Sequence, residues 1–292
     1  MSKKFLIATA NFTDWRQDFF NEHVSTRNKE YANLHNLDYL EFKNYKYKYR
    51  DHPSWLKFKI VSDLLEEKVL NDEDSLIFID ADICIAKPEK LFPTNKSFTY
   101  AIDSGNTHCM GAISLKINDW SRQLVQDILD EDRYSKLLNH QSKHEYLGFT
   151  NSFVKDFREQ ASWYYLAGIK RHSQKSFWDY PDFGWHSWKT EFTKYSIEEL
   201  YKNVEVLETK WNVSEIRGES PSIFLINKVG YKETILRHFA GGQKWRSSWF
   251  VEDLSFLRFK NFEIILFFKS YLPKLKPSTK KAIKQKIKKI IK

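Results

Sequence analysis

The most constraining feature of this chain is an apolar run that ends in two acids: Ser75-Leu76-Ile77-Phe78-Ile79-Asp80-Ala81-Asp82-Ile83-Cys84-Ile85. A compact apolar run reads as a strand covered on both faces, the kind found in parallel sheets. Ligands of open α/β sheets gather at the carboxyl ends of strands, so Asp80 and Asp82 fall where a site is expected. Alternation along an extended strand would send both carboxylates to the same side. Two hard oxygen donors on one side suit Mn²⁺ or Mg²⁺, with diphosphate oxygens completing the shell. Asp-x-Asp is also frequent in solvated turns. Here the flanking Ile79, Ile83, Cys84 and Ile85 make two uncompensated charges costly, which favours a cation or hydrogen bonds.

The rest of the chain supplies a frame for this strand. Residues 5–10 read as a first buried strand ending at Asn11, and 37–42 as a second. Residues 15–36 are charged and amphipathic and read as a helix, and another is expected from an N-cap at Ser54, with Trp55, Phe58, Val61, Leu64 and Leu65 on one face. Residues 43–52 read as a loop. Further strands are predicted at 98–103, 110–117, 204–208, 222–227 and just before His238, with helices at 119–138 and 151–169. Strands alternating with helices predict an α/β fold with a mixed, mostly parallel sheet flanked by helices. The chain is long enough for one large domain, residues 1–258, read as two closely joined halves meeting near residue 100.

The net charge of +9 would suggest a nucleic-acid partner, but its location argues otherwise. Residues 259–292 hold eleven lysines and a single acid, Glu263, leaving 36 basic and 37 acidic residues in 1–258. The body is neutral, so no specific nucleic-acid partner is expected. The two cysteines, Cys84 and Cys109, cannot form a disulfide framework, and Cys84 reads as a buried thiol in a reducing compartment. The opening MSKKFLIATANF turns polar too soon for a signal peptide.

A second motif lies far along the chain: His238-Phe239-Ala240-Gly241-Gly242-Gln243-Lys244-Trp245. A histidine, two glycines that permit close backbone approach, and a lysine form a plausible grip on a metal-bound diphosphate. With the first strand and the Asp80-Ala81-Asp82 motif, it resembles the GT-A (Rossmann-like) glycosyltransferases. Within them the chain is similar to retaining enzymes of the glycogenin and lipopolysaccharide galactosyltransferase group, and to plant xylosyl- and yeast mannosyltransferases. In the latter group a W-x-K helix precedes the acidic strand, as Trp55-Leu56-Lys57 does here. The late H-F-x-G-x-x-K-P-W element is matched by His238, Phe239, Gly241, Lys244 and Trp245, without the proline.

The resemblance implies a metal held by Asp80, Asp82 and His238, with Asp80 and Asp82 acting in catalysis through it. It implies that Ala8 and Asn11 line the base and ribose pocket, and that Lys57 and Lys244 face the donor. Glu159 and Gln160, at a predicted helix start, occupy the slot of an acidic residue and a glutamine beside the donor sugar, with Glu where Asp is usual. Asp103 is a further donor-sugar candidate. The donor implied is a UDP-sugar, the acceptor a glycan or glycolipid, and the outcome retention.

The aromatic segment around Phe177, Trp178, Tyr180, Trp185 and Trp188 suits either stacking on acceptor sugars or a satellite core cluster. Trp163, Tyr164 and Tyr165 read as core. The apolar stretch near 262–272 is too short to span a bilayer. Beyond it, Ile283, Ile287, Ile290 and Ile291 recur at helical spacing among lysines. A basic helical tail of this kind predicts that residues 261–292 lie on an anionic membrane surface, placing the chain at the cytoplasmic face. Two other readings compete. A haloacid-dehalogenase-like phosphatase also puts Asp-x-Asp at a strand end, though Ile83 and Cys84 depart from its pattern. A non-catalytic carbohydrate-binding protein could use the aromatic loop and the tail.

Overall fold

The structure is a computed structural model and describes residues 2–10, 17, 20–43, 50, 53–143, 158–170, 184–214, 229–230 and 232–238. Eight strands run through them: β1 Lys4–Ala10, β2 Asp38–Lys43, β3 Ser75–Ile79, β4 Ile83–Ile85, β5 Phe98–Ile102, β6 His108–Lys116, β7 Val204–Leu207 and β8 Leu236–His238. Six form one sheet in the order β2-β1-β3-β6-β5-β7, and β4 pairs with β8 in a second, two-stranded sheet. Within the large sheet β1 is parallel to β2 and β3, and β5 to β7, while β6 runs antiparallel to both its neighbours. The fold is therefore α/β with a mixed, mostly parallel sheet, as the alternation of elements predicts.

The reversal at β6 has a local cause. The carboxylate of Asp103 accepts the backbone N–H groups of Gly105 (2.8 Å) and Thr107 (2.9 Å), closing a tight loop between β5 and β6. Asn106 in that loop takes a positive φ of 58°, a conformation asparagine tolerates better than most residues. The start of β6 is thereby brought to the same edge as the ends of β1, β3 and β5.

All five residues of β3 are buried. Leu76 and Phe78 join the larger core cluster with Phe5, Ile7, Phe98 and Tyr100, whereas Ile77 and Ile79 join Leu6 and Ala112 on the other face. A strand covered on both faces can be apolar throughout, and this explains the uninterrupted run in the sequence. Helix α1 spans Thr26–Leu34, α2 Leu56–Glu66, α3 Asp119–Leu129, α4 Glu131–Lys143, α5 Glu159–Ala167 and α6 Ile197–Asn203. Phe58, Ile60, Val61 and Leu64 of α2 are buried in the larger cluster, together with Trp163, Tyr164 and Tyr165 of α5.

Three expectations are corrected. The helix foreseen over 15–36 is present among the described residues to Leu34, but its part Phe20–Ser25 is π-helical before α1 begins. The helix foreseen from Ser54 begins at Leu56, after a 3₁₀ turn at Pro53–Trp55, and no side chain caps it. A proline in the first turn is compatible with that start, because its missing N–H would have no partner there. The single helix foreseen over 119–138 is two helices. The chain turns at Asp130 (ψ 119°), whose carboxylate accepts the Arg133 N–H at 2.6 Å and so opens α4. The segments 151–157, 171–183 and 222–227 lie outside the described residues, as does the tail from 259. Among the described residues no helix is long and apolar enough to cross a membrane.

Candidate metal and nucleotide site

The two acids of the central motif reach the same strand end by a different route from the one the sequence suggests. The N–H of Asp80 donates to Gly111 O at 2.8 Å, extending the ladder with β6 by one bond. The Ile83 N–H then donates to Asp80 O at 3.0 Å, so residues 80–83 close a turn rather than continuing extended. It is the turn, not strand alternation, that keeps Asp80 and Asp82 together. Ala81 at its tip is buried beside Ala8, Phe20 and Val24. The side chains of Asp80 and Asp82 remain 30% and 39% exposed.

Leaving the turn, the chain forms β4, whose Ile83 lies opposite His238 in antiparallel register. This pairing carries the distant histidine to the acids. His238 Nε2 stands 3.4 Å from Asp82 Oδ1, and Nδ1 lies 3.0 Å from Asn212 Oδ1 and 3.9 Å from Cys109 Sγ. Gly111 faces the same ring, and a Cβ there would lie 2.8 Å from His238 Cε1. Only a glycine lets β6 pass the imidazole this closely.

On the other side of Asp80 lies Lys57, from the first turn of α2, with its side chain 2% exposed. Its ammonium is 3.0 Å from Asp80 Oδ1 and 3.1 Å from Glu159 Oε1, and it also donates to Met110 O. A lysine buried this deeply keeps its charge only because carboxylates surround it. Burial pulls its pKa down, but Asp80 and Glu159 outweigh that and hold it above the ordinary lysine value.

Burial pushes the Asp80 carboxyl up to about 6. Lys57 pulls against that shift, while Asp82 and Glu159 add to it. Because part of the side chain reaches solvent, water screens some of this effect. Asp82 goes the other way. Burial would raise it, but the attraction and hydrogen bond of His238 leave it below the usual carboxylate range. The same pair acts in reverse on His238, where Asp82 overcomes the cost of burial and lifts the imidazole well above its ordinary value.

Among the described residues no group of three or more His, Cys, Asp or Glu side chains is arranged to hold a metal ion unaided. Asp80 is turned to Lys57, while Asp82 and His238 face each other. The donor set nevertheless fits Mn²⁺ or Mg²⁺: two partly exposed carboxylates and one imidazole nitrogen, the hard oxygen and imidazole ligands such cations take.

The remaining predicted residues fall in several places. Glu159 is buried against Lys57, and the neighbouring Gln160 accepts the Met110 N–H at 3.4 Å and donates to Tyr164 Oη at 3.2 Å. Both start α5 and meet β6 beside the acids. Asp103 sits at the same end of the sheet, one Oδ1 committed to its own loop. Ala8 is fully buried in β1, between Glu41 of β2 and Ile79 of β3. Asn11 and Lys244 lie outside the described residues, as do Phe177, Trp178 and Tyr180. Trp185 and Trp188 pack against the main core, Trp188 with its ring 5.6 Å from Tyr165 and Trp185 donating to Tyr100 Oη at 3.2 Å. Asn212, Gly111 and Cys109 were not foreseen. None belongs to a local pattern, and each matters only because the fold sets it against His238.

No known family profile and no curated protein matches the sequence. Several solved structures resemble the chain distantly, with TM-scores under 0.5. One is a glycosyltransferase involved in the glycosylation of the major capsid of PBCV-1, with 9% identity and a TM-score of 0.47 over 86% of this chain and 98% of that one. The glycosyltransferase GlyE of Streptococcus pneumoniae has 10% identity and a TM-score of 0.41, over 91% of this chain and 64% of its own. The galactosyltransferase LgtC, in complex with donor and acceptor sugar analogues, has 11% identity and a TM-score of 0.38, over 87% and 96%. Likenesses this distant carry no chemistry with them, so the functional reading rests on the arrangement of Asp80, Asp82, His238 and Lys57.

Proposed function

We propose that this chain is a divalent-metal-dependent glycosyltransferase, moving a hexose or pentose from a UDP-sugar to a glycan or lipid-linked glycan with retention at the anomeric carbon. One observation carries the reading. The β4–β8 pairing brings His238 Nε2 to 3.4 Å from Asp82 at the strand end where a buried lysine engages Asp80. A structural turn has no need of an imidazole imported from so far along the chain.

Asp80, Asp82 and His238 would hold the metal, which when bound neutralises charge on a departing diphosphate. Lys57 orients the Asp80 carboxylate and places a fixed positive charge behind it. Glu159 holds that ammonium in place. Salt-bridged in this way, Glu159 is a poor proton acceptor, and the carboxamide of Gln160 cannot take a proton at all. Neither is therefore assigned as a general base, and retention is proposed from the resemblance of the motifs to retaining enzymes. Lys244 on phosphate and Asn11 at the ribose complete the proposal from the sequence. So does a peripheral location at the cytoplasmic face of the membrane through residues 261–292, supported by their lysines and spaced isoleucines.

The test pairs thermal shift with product analysis. UDP-sugars should raise the unfolding midpoint only with Mn²⁺ or Mg²⁺, and the effective donor should yield a glycosylated product. Release of phosphate without sugar transfer would favour the phosphatase, and metal-dependent binding without turnover the non-catalytic protein.

A further inference from the structure

We infer that Asn212 is the positioning residue that decides which ring nitrogen His238 presents to the site, with Gly111 holding the ring against it. The inference rests on the metal-site reading above and names a determinant of it.

Asn212 is fully buried at the end of the 3₁₀ turn Thr209–Trp211, its N–H donating to Thr209 O at 2.8 Å. The next residue, Val213, accepts the N–H of His238 at 2.9 Å and donates to Leu236 O at 3.0 Å. Residues 212 and 213 therefore grip β8 by its backbone and its imidazole together. The Asn212 carboxamide oxygen can only accept, so at 3.0 Å it requires a proton on Nδ1. In the free protein Nε2 carries a second proton toward Asp82 Oδ1 at 3.4 Å. The closer Asn212 oxygen keeps the Nδ1 proton, so the one a cation displaces is on Nε2, whose lone pair then faces the site. Gly111 closes the flank: a Cβ would press on Cε1 at 2.8 Å and on Nδ1 at 3.1 Å. Histidine ligands generally donate their second nitrogen to such a partner, and losing it costs about 10–100-fold in metal affinity.

The test reads ring nitrogens by NMR in ¹⁵N-histidine protein, and Mn²⁺ affinity by electron paramagnetic resonance with UDP present. With the ring neutral, wild type should show His238 protonated at Nδ1. Asn212→Ala should shift the proton toward Nε2 and weaken Mn²⁺ about 10–100-fold. Asn212→Asp, which keeps an acceptor, should restore both, while Gly111→Ala should weaken Mn²⁺ by displacing the ring. An unchanged tautomer in Asn212→Ala, or an Asn212→Asp protein that behaves like Asn212→Ala, would overturn the inference. Failure of wild type to bind Mn²⁺ would instead sink the metal reading, and the tautomer measured on the free protein would still decide the role of Asn212. If Asn212→Ala does not fold, Asn212→Asp and Gly111→Ala carry the test.

Discussion

Two regions of the molecule bury acids beside cations, and they do so to different ends. In the first, Asp127 of α3 has its Oδ1 taken by Lys194 (2.5 Å) and Gln123 (2.9 Å) and its Oδ2 by the hydroxyl of Tyr195 (2.7 Å). Arg133 links the same helix, through Asp127 O, to Ser162 of α5. Each Asp127 oxygen has a protein partner, and its side chain is 9% exposed. In the second region, Asp80 and Asp82 are three to four times as exposed and face like charges as well as cations. Burial raises the pKa of Asp80 and the neighbouring Asp82 and Glu159 add to it, with Lys57 offsetting only part, an arrangement that favours a further cation. A saturated buried acid ties elements together, while an acid with repulsive neighbours at an open strand end is kept for a ligand.

The contrast can be broken by swapping the roles. Asp127→Ala should be the most damaging change to the fold. It leaves the buried Tyr195 hydroxyl without its acceptor, which costs about 1–3 kcal/mol, while the half-exposed Lys194 ammonium is returned to water. Thermal or urea unfolding would measure it, and metal-dependent nucleotide binding by the protein that remains folded should be unchanged. Asp82→Ala should do the reverse. Sugar transfer should fall by about 10²–10³-fold, on the scale seen when one electrostatic stabiliser is removed, while the unfolding midpoint moves little. Unimpaired transfer in Asp82→Ala would remove the metal assignment, and unimpaired stability in Asp127→Ala would show that saturation is no guide to structural weight.

The sequence exposes the second region better than the first. Leu76–Ile79 and the acids after them are legible because strand burial and charge are adjacent in the chain. The fold class follows from the same local patterns. The antiparallel course of β6 does not, because it depends on a loop whose geometry is set by the Asp103 carboxylate. Nor does the 80–83 turn: period-two reasoning finds the right grouping of Asp80 and Asp82 by the wrong geometry. The Lys57–Glu159 pair was foreseen only as two separate donor contacts, since nothing local tells that α2 and α5 meet behind Asp80. Asn212 and Asp127 carry no sequence signal, for their partners come from segments that meet only in the folded sheet.

The finest test of the contrast is its pH dependence. The Asp80 carboxyl is raised from 3.8 to about 6, so the charged form that a cation needs is lost as pH falls through about 6. Between about pH 6 and pH 4, each unit should weaken metal-dependent binding of a UDP-sugar by up to about tenfold. The sign for stability is opposite. A carboxyl with a raised folded pKa makes the fold bind a proton more tightly, so its contribution to stability grows as pH falls from about 6 toward 4. Asp82, held below its ordinary value by His238, keeps its charge across that window, and its contribution is lost only on further acidification. Calorimetry of a UDP-sugar with Mn²⁺ at about pH 7, 6 and 5, alongside unfolding of the free protein, separates the two effects. Below about pH 6, a fall in binding that is shallower in Asp80→Asn than in wild type by up to about tenfold per unit would locate one titrating group at Asp80. The remaining slope belongs to His238, which sheds a proton to bind a cation. The same slope in both proteins would move it elsewhere and leave Asp80 no different in kind from Asp127.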